Sequence, residues 1–323
     1  MTGFLGSGKT TLLARVLSDP SMRNTAVIVN EFGEVGIDHH LLRRAGEKTV
    51  LLGSGCVCCS RREDLVETLL ELLGLEERGE IPTLDRIVVE TTGLADPAPI
   101  LHTVFTDPVL RHHFLVDLVI VTVDAVNGEG QLDHSPESEK QIAAADKIVL
   151  TKTDIADPEA ARTIAARLQA LNPSASILEA ALREVDPAEL FRPQRAWTPE
   201  RVGENEPGAP GAGTFSVSLT FDRPVDWVGF GIWLSMLLHA RGEKVLRVKG
   251  LLDVGESGPV TLNGVQHTIH PPDHLAAWPD DDHRSRIIFI ARGIPPENIL
   301  ASLDAFRDIL GARPQRLTAD ALV

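Results

Sequence analysis

Gly3-Phe4-Leu5-Gly6-Ser7-Gly8-Lys9-Thr10 stands at the head of this chain and fits the spacing GxxxxGK[ST] in full. Glycines at these places let successive backbone N–H groups converge on phosphate oxygens. Lys9 reaches the outer phosphates, and the Thr10 hydroxyl is placed to ligate Mg²⁺. The helix that follows adds the positive end of its dipole. A loop of this kind joins a buried strand to a helix, yet the motif begins at Gly3 with no room for that strand. A gap in a parallel sheet would leave buried backbone groups unsatisfied, so the expectation is a start upstream of Met1.

Outward from the loop, Ala26–Val29, Arg86–Val89, Leu118–Val123 and Lys147–Leu150 read as strands that are apolar on both faces. Helical patterns run at about 9–18, 61–77, 137–145 and 157–171, the last opened by the cap pair Asp157-Pro158. This alternation predicts an α/β domain over 1–192, a P-loop NTPase with a doubly wound, mostly parallel sheet. A polar stretch rich in proline and glycine, 193–213, reads as a linker. Beyond it a small α+β domain is expected over 214–323. Its elements are a strand Phe215–Phe221, a helix opened at Pro224, a strand Lys244–Leu251, a strand Arg286–Ile290 and a last helix from Pro296 to Leu310. Between them a hairpin is expected to turn at Asn263-Gly264, joining Val260–Leu262 to Val265–Ile269.

The bulk composition narrows the function classes. With 31 basic against 46 acidic residues the net charge is -15, which argues against a nucleic-acid partner. No apolar run has the length of a membrane span, so no membrane role is expected. The three cysteines are odd in number and clustered, a pattern suited to a reducing compartment, the cytoplasm, and to metal or redox chemistry.

Two further motifs extend the phosphate loop. Glu90 ends an apolar strand in Arg86-Ile87-Val88-Val89-Glu90-Thr91-Thr92-Gly93, where an acid can hold the Mg²⁺ shell through water. Gly93, three residues on, can give its N–H to a γ-phosphate. Thr151-Lys152-Thr153-Asp154 follows another strand. The Asp154 carboxylate can accept from the N1–H and amino group of guanine, and the Lys152 stem can cover the base. Thr151 departs from the asparagine of NKxD, and taken alone the tetrapeptide also reads as a loop with a helix cap.

Cys56-Val57-Cys58-Cys59 gathers all the thiols of the chain into four residues. Three thiolates bind Zn²⁺ or Co²⁺ and leave a tetrahedral site one ligand short, as delivery requires. Glu31 and Glu34, in the loop after the strand Ala26–Val29, are available nearby in sequence. Buried apolar cysteines and a thiol redox centre are the alternatives. The histidines are dispersed, and Asp280-Asp281-Asp282-His283 reads as a solvated acidic turn.

Taken in order, Thr2–Leu13, Val29–Asp38, Gly55–Cys59, Val88–Pro97 and Thr151–Asp154 resemble the CobW-type metallochaperone GTPases, relatives of HypB and UreG. Lys244–Leu252 and Ser285–Gly293 are similar to the CobW C-terminal domain. The resemblance implies GTP hydrolysis with Mg²⁺, coupled to loading zinc or cobalt into a metal-requiring client protein. It implies that Gly6 to Thr11 bind phosphate and Mg²⁺ and that Glu90 is the Walker-B acid. Asp154 would read guanine, and Cys56, Cys58 and Cys59 would hold the metal, joined by Glu34. Lys9 would stabilise the transferred phosphoryl group, and Asp38 and Glu34 are the candidates for placing the attacking water. Turnover is expected to be slow without a client or metal, as no arginine finger is evident. The oligomeric state is left open, a homo-oligomer among the options. The rival classes are a small-molecule kinase and a metal sensor or thiol protein that delivers nothing.

Overall fold

In a computed structural model of the chain, residues 1–29, 62–179, 185–192 and 213–317 are described. The chain divides into two compact units, Met1–Ala166 with Ser176–Pro193, and Arg167–Ala175 with Gln194–Val323.

The first unit opens with β1 (Thr2–Gly3), then α1 (Lys9–Leu17) and β2 (Thr25–Val29). After the undescribed residues come α2 (Arg62–Glu77), β3 (Arg86–Glu90), α3 (Ala98–Thr106), α4 (Leu110–His113) and β4 (Ile120–Asp124). They are followed by α5 (Gly128–His134), α6 (Pro136–Ala144), β5 (Lys147–Thr151), α7 (Pro158–Leu171, whose residues from Arg167 on fall in the second unit), β6 (Ser176–Glu179) and α8 (Pro187–Leu190). All strand pairs in this unit are parallel, in the orders β2-β3 and β1-β4-β5-β6.

The strand expected to be lacking is present in two residues, with Thr2 against Val121 and Gly3 against Thr122. Met1 completes the join on the other side. Its nitrogen donates to Val89 O at 2.7 Å, and its carbonyl accepts from Thr91 N at 3.0 Å. Met1, Thr2 and Gly3 are thus paired on both sides at the base of the phosphate loop.

Helices cover both faces of this sheet, and β2 shows why. Val27 packs with Leu12, Leu13 and Val16 of α1, whereas Ala26 and Ile28 pack with Leu65, Leu69 and Leu72 of α2. Alternate residues of one strand bury into opposite helical layers, so the strand has to be apolar throughout. Asp157 caps α7 through the N–H groups of Glu159 and Ala160, at 2.9 and 3.1 Å.

The second unit is an antiparallel sheet with helices on one face. Its elements are β7 (Thr214–Phe221), α9 (Trp227–Arg241), β8 (Val245–Leu252), β9 (Val260–Val265), β10 (Thr268–Ile269), β11 (Asp273–His274), β12 (Arg286–Arg292), α10 (Pro296–Ala305), α11 (Arg307–Leu310) and β13 (Pro314–Arg316). The strand order is β10-β9-β8-β12-β7-β13, with β11 also on β9. Phe230, Trp233 and Leu238 of α9, with Ile299 and Leu303 of α10, pack on Val217, Leu219, Val248, Ile287 and Phe289 of the sheet.

Three expectations need correction here. Helix α9 starts at Trp227, not Pro224, because the Asp226 side chain accepts from Gly229 N at 2.7 Å and caps it. The hairpin does not turn at Asn263-Gly264. Both residues continue the β9 ladder, with Gly264 opposite Val248 and Ile269, and the chain reverses at Gln266-His267, where Gln266 takes φ 51°. The last helix is broken at Phe306 into α10 and α11. The acidic turn is also less solvated than expected: Asp280 and Asp282 bind Arg286, which is 2% exposed, and Asp282 also binds Arg284. The expected linker lies outside the described residues except for Gly213.

Candidate nucleotide site

The phosphate loop runs from the end of β1 into α1, with Gly6 and Gly8 at φ 71° and 88°. That left-handed backbone is strained for any residue with a Cβ, and it turns the N–H groups inward. The Lys9 ammonium donates to Gly3 O at 2.9 Å and Phe4 O at 3.1 Å, so it spans its own loop. Ser7 is fully buried, and its hydroxyl lies 2.7 Å from that of Thr122 on β4. Thr11, by contrast, is exposed on α1.

Glu90 closes β3 with 2% exposure and accepts a hydrogen bond from the Thr10 hydroxyl at 2.5 Å. Parallel strand order brings the two together: β1 lies between β3 and β4, so the end of β3 faces the first turn of α1. The next residues are fixed as well. Thr91 Oγ1 donates to Thr2 Oγ1 at 2.7 Å. Gly93 lies directly on Leu5 of the phosphate loop. A Cβ at Gly93 would stand 2.6 Å from Leu5 N and 2.8 Å from its Cα, so no larger residue fits there without moving the loop. Leu5 and Leu94 are exposed beside this contact.

Thr151 ends β5 fully buried, and its hydroxyl lies 2.8 Å from Ser7 O and 3.1 Å from Val123 O. The threonine that stands where NKxD has asparagine is thus tied to the phosphate loop through its hydroxyl. Lys152 takes φ 59° and donates to Asp124 Oδ2 at 2.7 Å. Asp154 is exposed in the turn that follows, closed by the bond from Ala156 N to Lys152 O.

Asp124 was not singled out from the sequence. It is 1% exposed at the end of β4 and also accepts from Val126 N at 2.8 Å and Asn127 Nδ2 at 2.8 Å. Burial works against its ionisation. The bonds from Lys152, Asn127 and Val126 outweigh that, and the carboxyl is held below the ordinary Asp range. An acid closing an apolar strand, as Glu90 does, was the signal available.

Thus Gly3, Gly6, Ser7, Gly8, Lys9, Thr10, Glu90 and Gly93 share one neighbourhood, and Thr151, Lys152 and Asp154 lie at the next strand end. Glu34, Asp38, Cys56, Cys58 and Cys59 lie outside the described residues. The Thr10 hydroxyl and Glu90 carboxylate are hard oxygen donors in contact beside the loop, a donor set that fits Mg²⁺.

A loop of this spacing between a parallel strand and a helix, with an acid ending the neighbouring strand, defines a P-loop nucleotide-binding protein. Residues 1–179 match the family profile of the CobW/HypB/UreG nucleotide-binding domain, and residues 215–307 that of the cobalamin synthesis protein CobW C-terminal domain. The zinc chaperone YjiA of Escherichia coli is 36% identical over 313 residues, 95% of this chain and 97% of that protein. The zinc chaperone CobW of Pseudomonas aeruginosa is 36% identical over 217 residues, 57% of this chain and 56% of its own. A crystal structure of Zn(II)-bound YjiA GTPase from E. coli superposes with a TM-score of 0.71 at 34% identity, covering 95% of this chain and 97% of that one. The chain belongs to the CobW/HypB/UreG family and is a P-loop GTPase.

Proposed function

We propose that this GTPase is a metallochaperone, one that carries zinc on Cys56, Cys58 and Cys59 with Glu34 and releases it to a metal-requiring client when GTP is hydrolysed. The observation that carries the reading is the contact of Glu90 with Thr10 and of Gly93 with Leu5. It couples the strand end that follows the cysteines in sequence to the phosphate loop that precedes them. The similar E. coli protein is named a zinc chaperone, and its GTPase has been crystallised with Zn(II). A second Zn(II)-bound structure of that protein carries alanine in place of a glutamate and two neighbouring cysteines. This chain has such a neighbouring pair in Cys58 and Cys59. Zinc is therefore favoured over cobalt as the cargo, and free thiols suit the cytoplasm.

In this reading Lys9 exchanges the carbonyls of Gly3 and Phe4 for phosphate oxygens, and the Gly6 and Gly8 peptides cradle them. Thr10, and Glu90 through water, would hold Mg²⁺, which would supply positive charge against the phosphates. Gly93 offers its N–H to the γ-phosphate, and Asp154 selects guanine. Asp38 and Glu34 are placed by sequence to order the attacking water. The client docks partly on residues 214–323.

The test is zinc affinity by competition with a chelator, in GDP and in a non-hydrolysable GTP analogue. The two states should differ by about 5–150-fold, the usual coupling between linked sites. Cys58→Ala should abolish the difference. Equal affinity in both nucleotide states would sink the delivery mechanism.

A further inference from the structure

The segment Gly93–Asp96, which follows the Mg²⁺-site acid, is gripped from one side by α6. Gln141 is 1% exposed, and its side-chain amide donates to Gly93 O at 3.2 Å and to Ala95 O at 2.9 Å. The neighbouring Lys140 makes an ion pair with Asp96 at 3.2 Å. Two adjacent residues of one helix thus hold three of the four residues of the segment. The Lys140 pair is partly exposed and contributes little, as ion pairs near the surface do. The buried amide is the substantial tether, because cutting it leaves two carbonyls beside α6 without that donor.

The geometry points to Gln141 as the positioning residue that aims Gly93 at the γ-phosphate. The Gly93 carbonyl belongs to the peptide joining Gly93 to Leu94, so anchoring it fixes the ψ of Gly93. Leu5, pressed against Gly93 Cα, blocks movement toward the phosphate loop. Glycine is the residue freest to rotate, so the amide, by holding this carbonyl, narrows the directions its peptide can take. Gln141 touches no nucleotide atom in this role; it acts through Gly93. Helix α6 runs directly into β5, whose last residue Thr151 bonds to Ser7 O. The same element therefore links the γ-phosphate segment to the strand that carries the base motif. The inference rests on the reading of Gly93 as a γ-phosphate contact, and the experiment separates the two.

The experiment measures kcat for GTP and Kd for GDP on the full chain and on Gln141→Glu, Gln141→Leu, Gly93→Ala and Gly93→Pro, from pH 6 to 8. A small cavity bordered by Phe4, Thr122, Gln131, Ser138, Gln141 and Ile142 gives the leucine room, so that variant should fold. Gln141→Glu should lower kcat at pH 8 by about 10–100-fold, the scale expected when a group is misplaced by around an ångström. GDP affinity should stay within about two-fold, because GDP lacks the γ-phosphate. Burial raises the pKa of the new carboxyl, so protonation restores a donor and activity should recover toward pH 6. Gln141→Leu should be as slow at every pH. The proposal is overturned if both Gln141 variants keep wild-type kcat while Gly93→Pro is impaired. It is equally overturned if GDP binding falls with kcat, which would mark a general structural role. Gly93→Ala keeps the backbone N–H and reports the packing on Leu5. The γ-phosphate reading is tested by Gly93→Pro, which removes that N–H, and wild-type turnover in Gly93→Pro would overturn that reading alone.

Discussion

At the scale of single residues, the site is built from side chains that close apolar strands. Glu90, Asp124 and Thr151 end β3, β4 and β5, each 2% exposed or less. The first and third were legible because they sit inside motifs. Asp124 and Gln141 were not, since a polar residue among apolar ones reads equally well as an element end or a solvated face. What identifies them is burial together with a partner distant in sequence, which only the fold supplies. Asp124 also gives a pH dependence with a definite sign. Its carboxyl titrates lower in the folded chain than the ordinary value of about 3.9. Its contribution to stability is therefore complete above that value and is lost as pH falls through the lower, folded pKa. Chemical denaturation from pH 6 down to 3 should show wild type losing stability at the acid end. Asp124→Asn should start less stable and lose less over that interval, and parallel curves would show that the ion pair with Lys152 is not the cause.

Elements were legible where pattern and packing agree. β2, β3, β4 and β5 are apolar on both faces because helices cover both, and their limits fell close to expectation. The β9–β10 hairpin shows the opposite case. Asn263-Gly264 is a strong turn signal, but the pairing of β9 with β8 runs to Gly264 opposite Val248 and draws that dipeptide into the sheet. Tertiary pairing overrode local preference, and the turn fell to Gln266, which has no intrinsic liking for φ 51°. Gln266→Gly should relieve that strain and raise stability by about 1 kcal/mol, less the entropy glycine adds to the unfolded chain. A higher urea midpoint at unchanged slope would show it, and a lower midpoint would mean that the Gln266 side chain holds the turn. The start of α9 makes the same point on a smaller scale. Pro224 was a fair opening signal, but a proline supplies no acceptor for the free N–H groups of the first turn, and Asp226 does.

At the scale of the whole molecule, the buried hydrophobic residues among those described form several clusters. Those around Leu12 and Leu65 belong to the first unit, and that around Phe230 and Phe289 to the second. The nucleotide contacts proposed above all lie in the first. Calorimetry should therefore show two components, with GDP raising only one. At a hundredfold excess over its Kd, the ligand adds about 2.7 kcal/mol to that component. A single transition that moves as a whole would show that the two cores unfold together. The two-part architecture was legible from the change of strand pattern after the proline- and glycine-rich stretch.

The Lys9 ammonium, lodged on the carbonyls of Gly3 and Phe4, gives one side chain two tasks. A cation there draws together oxygens that would otherwise repel, so the curvature of the loop depends on a charge that the loop itself carries. A neutral side chain of the same length would cost the loop its shape along with its charge, and a loss of nucleotide binding in such a variant would report both at once.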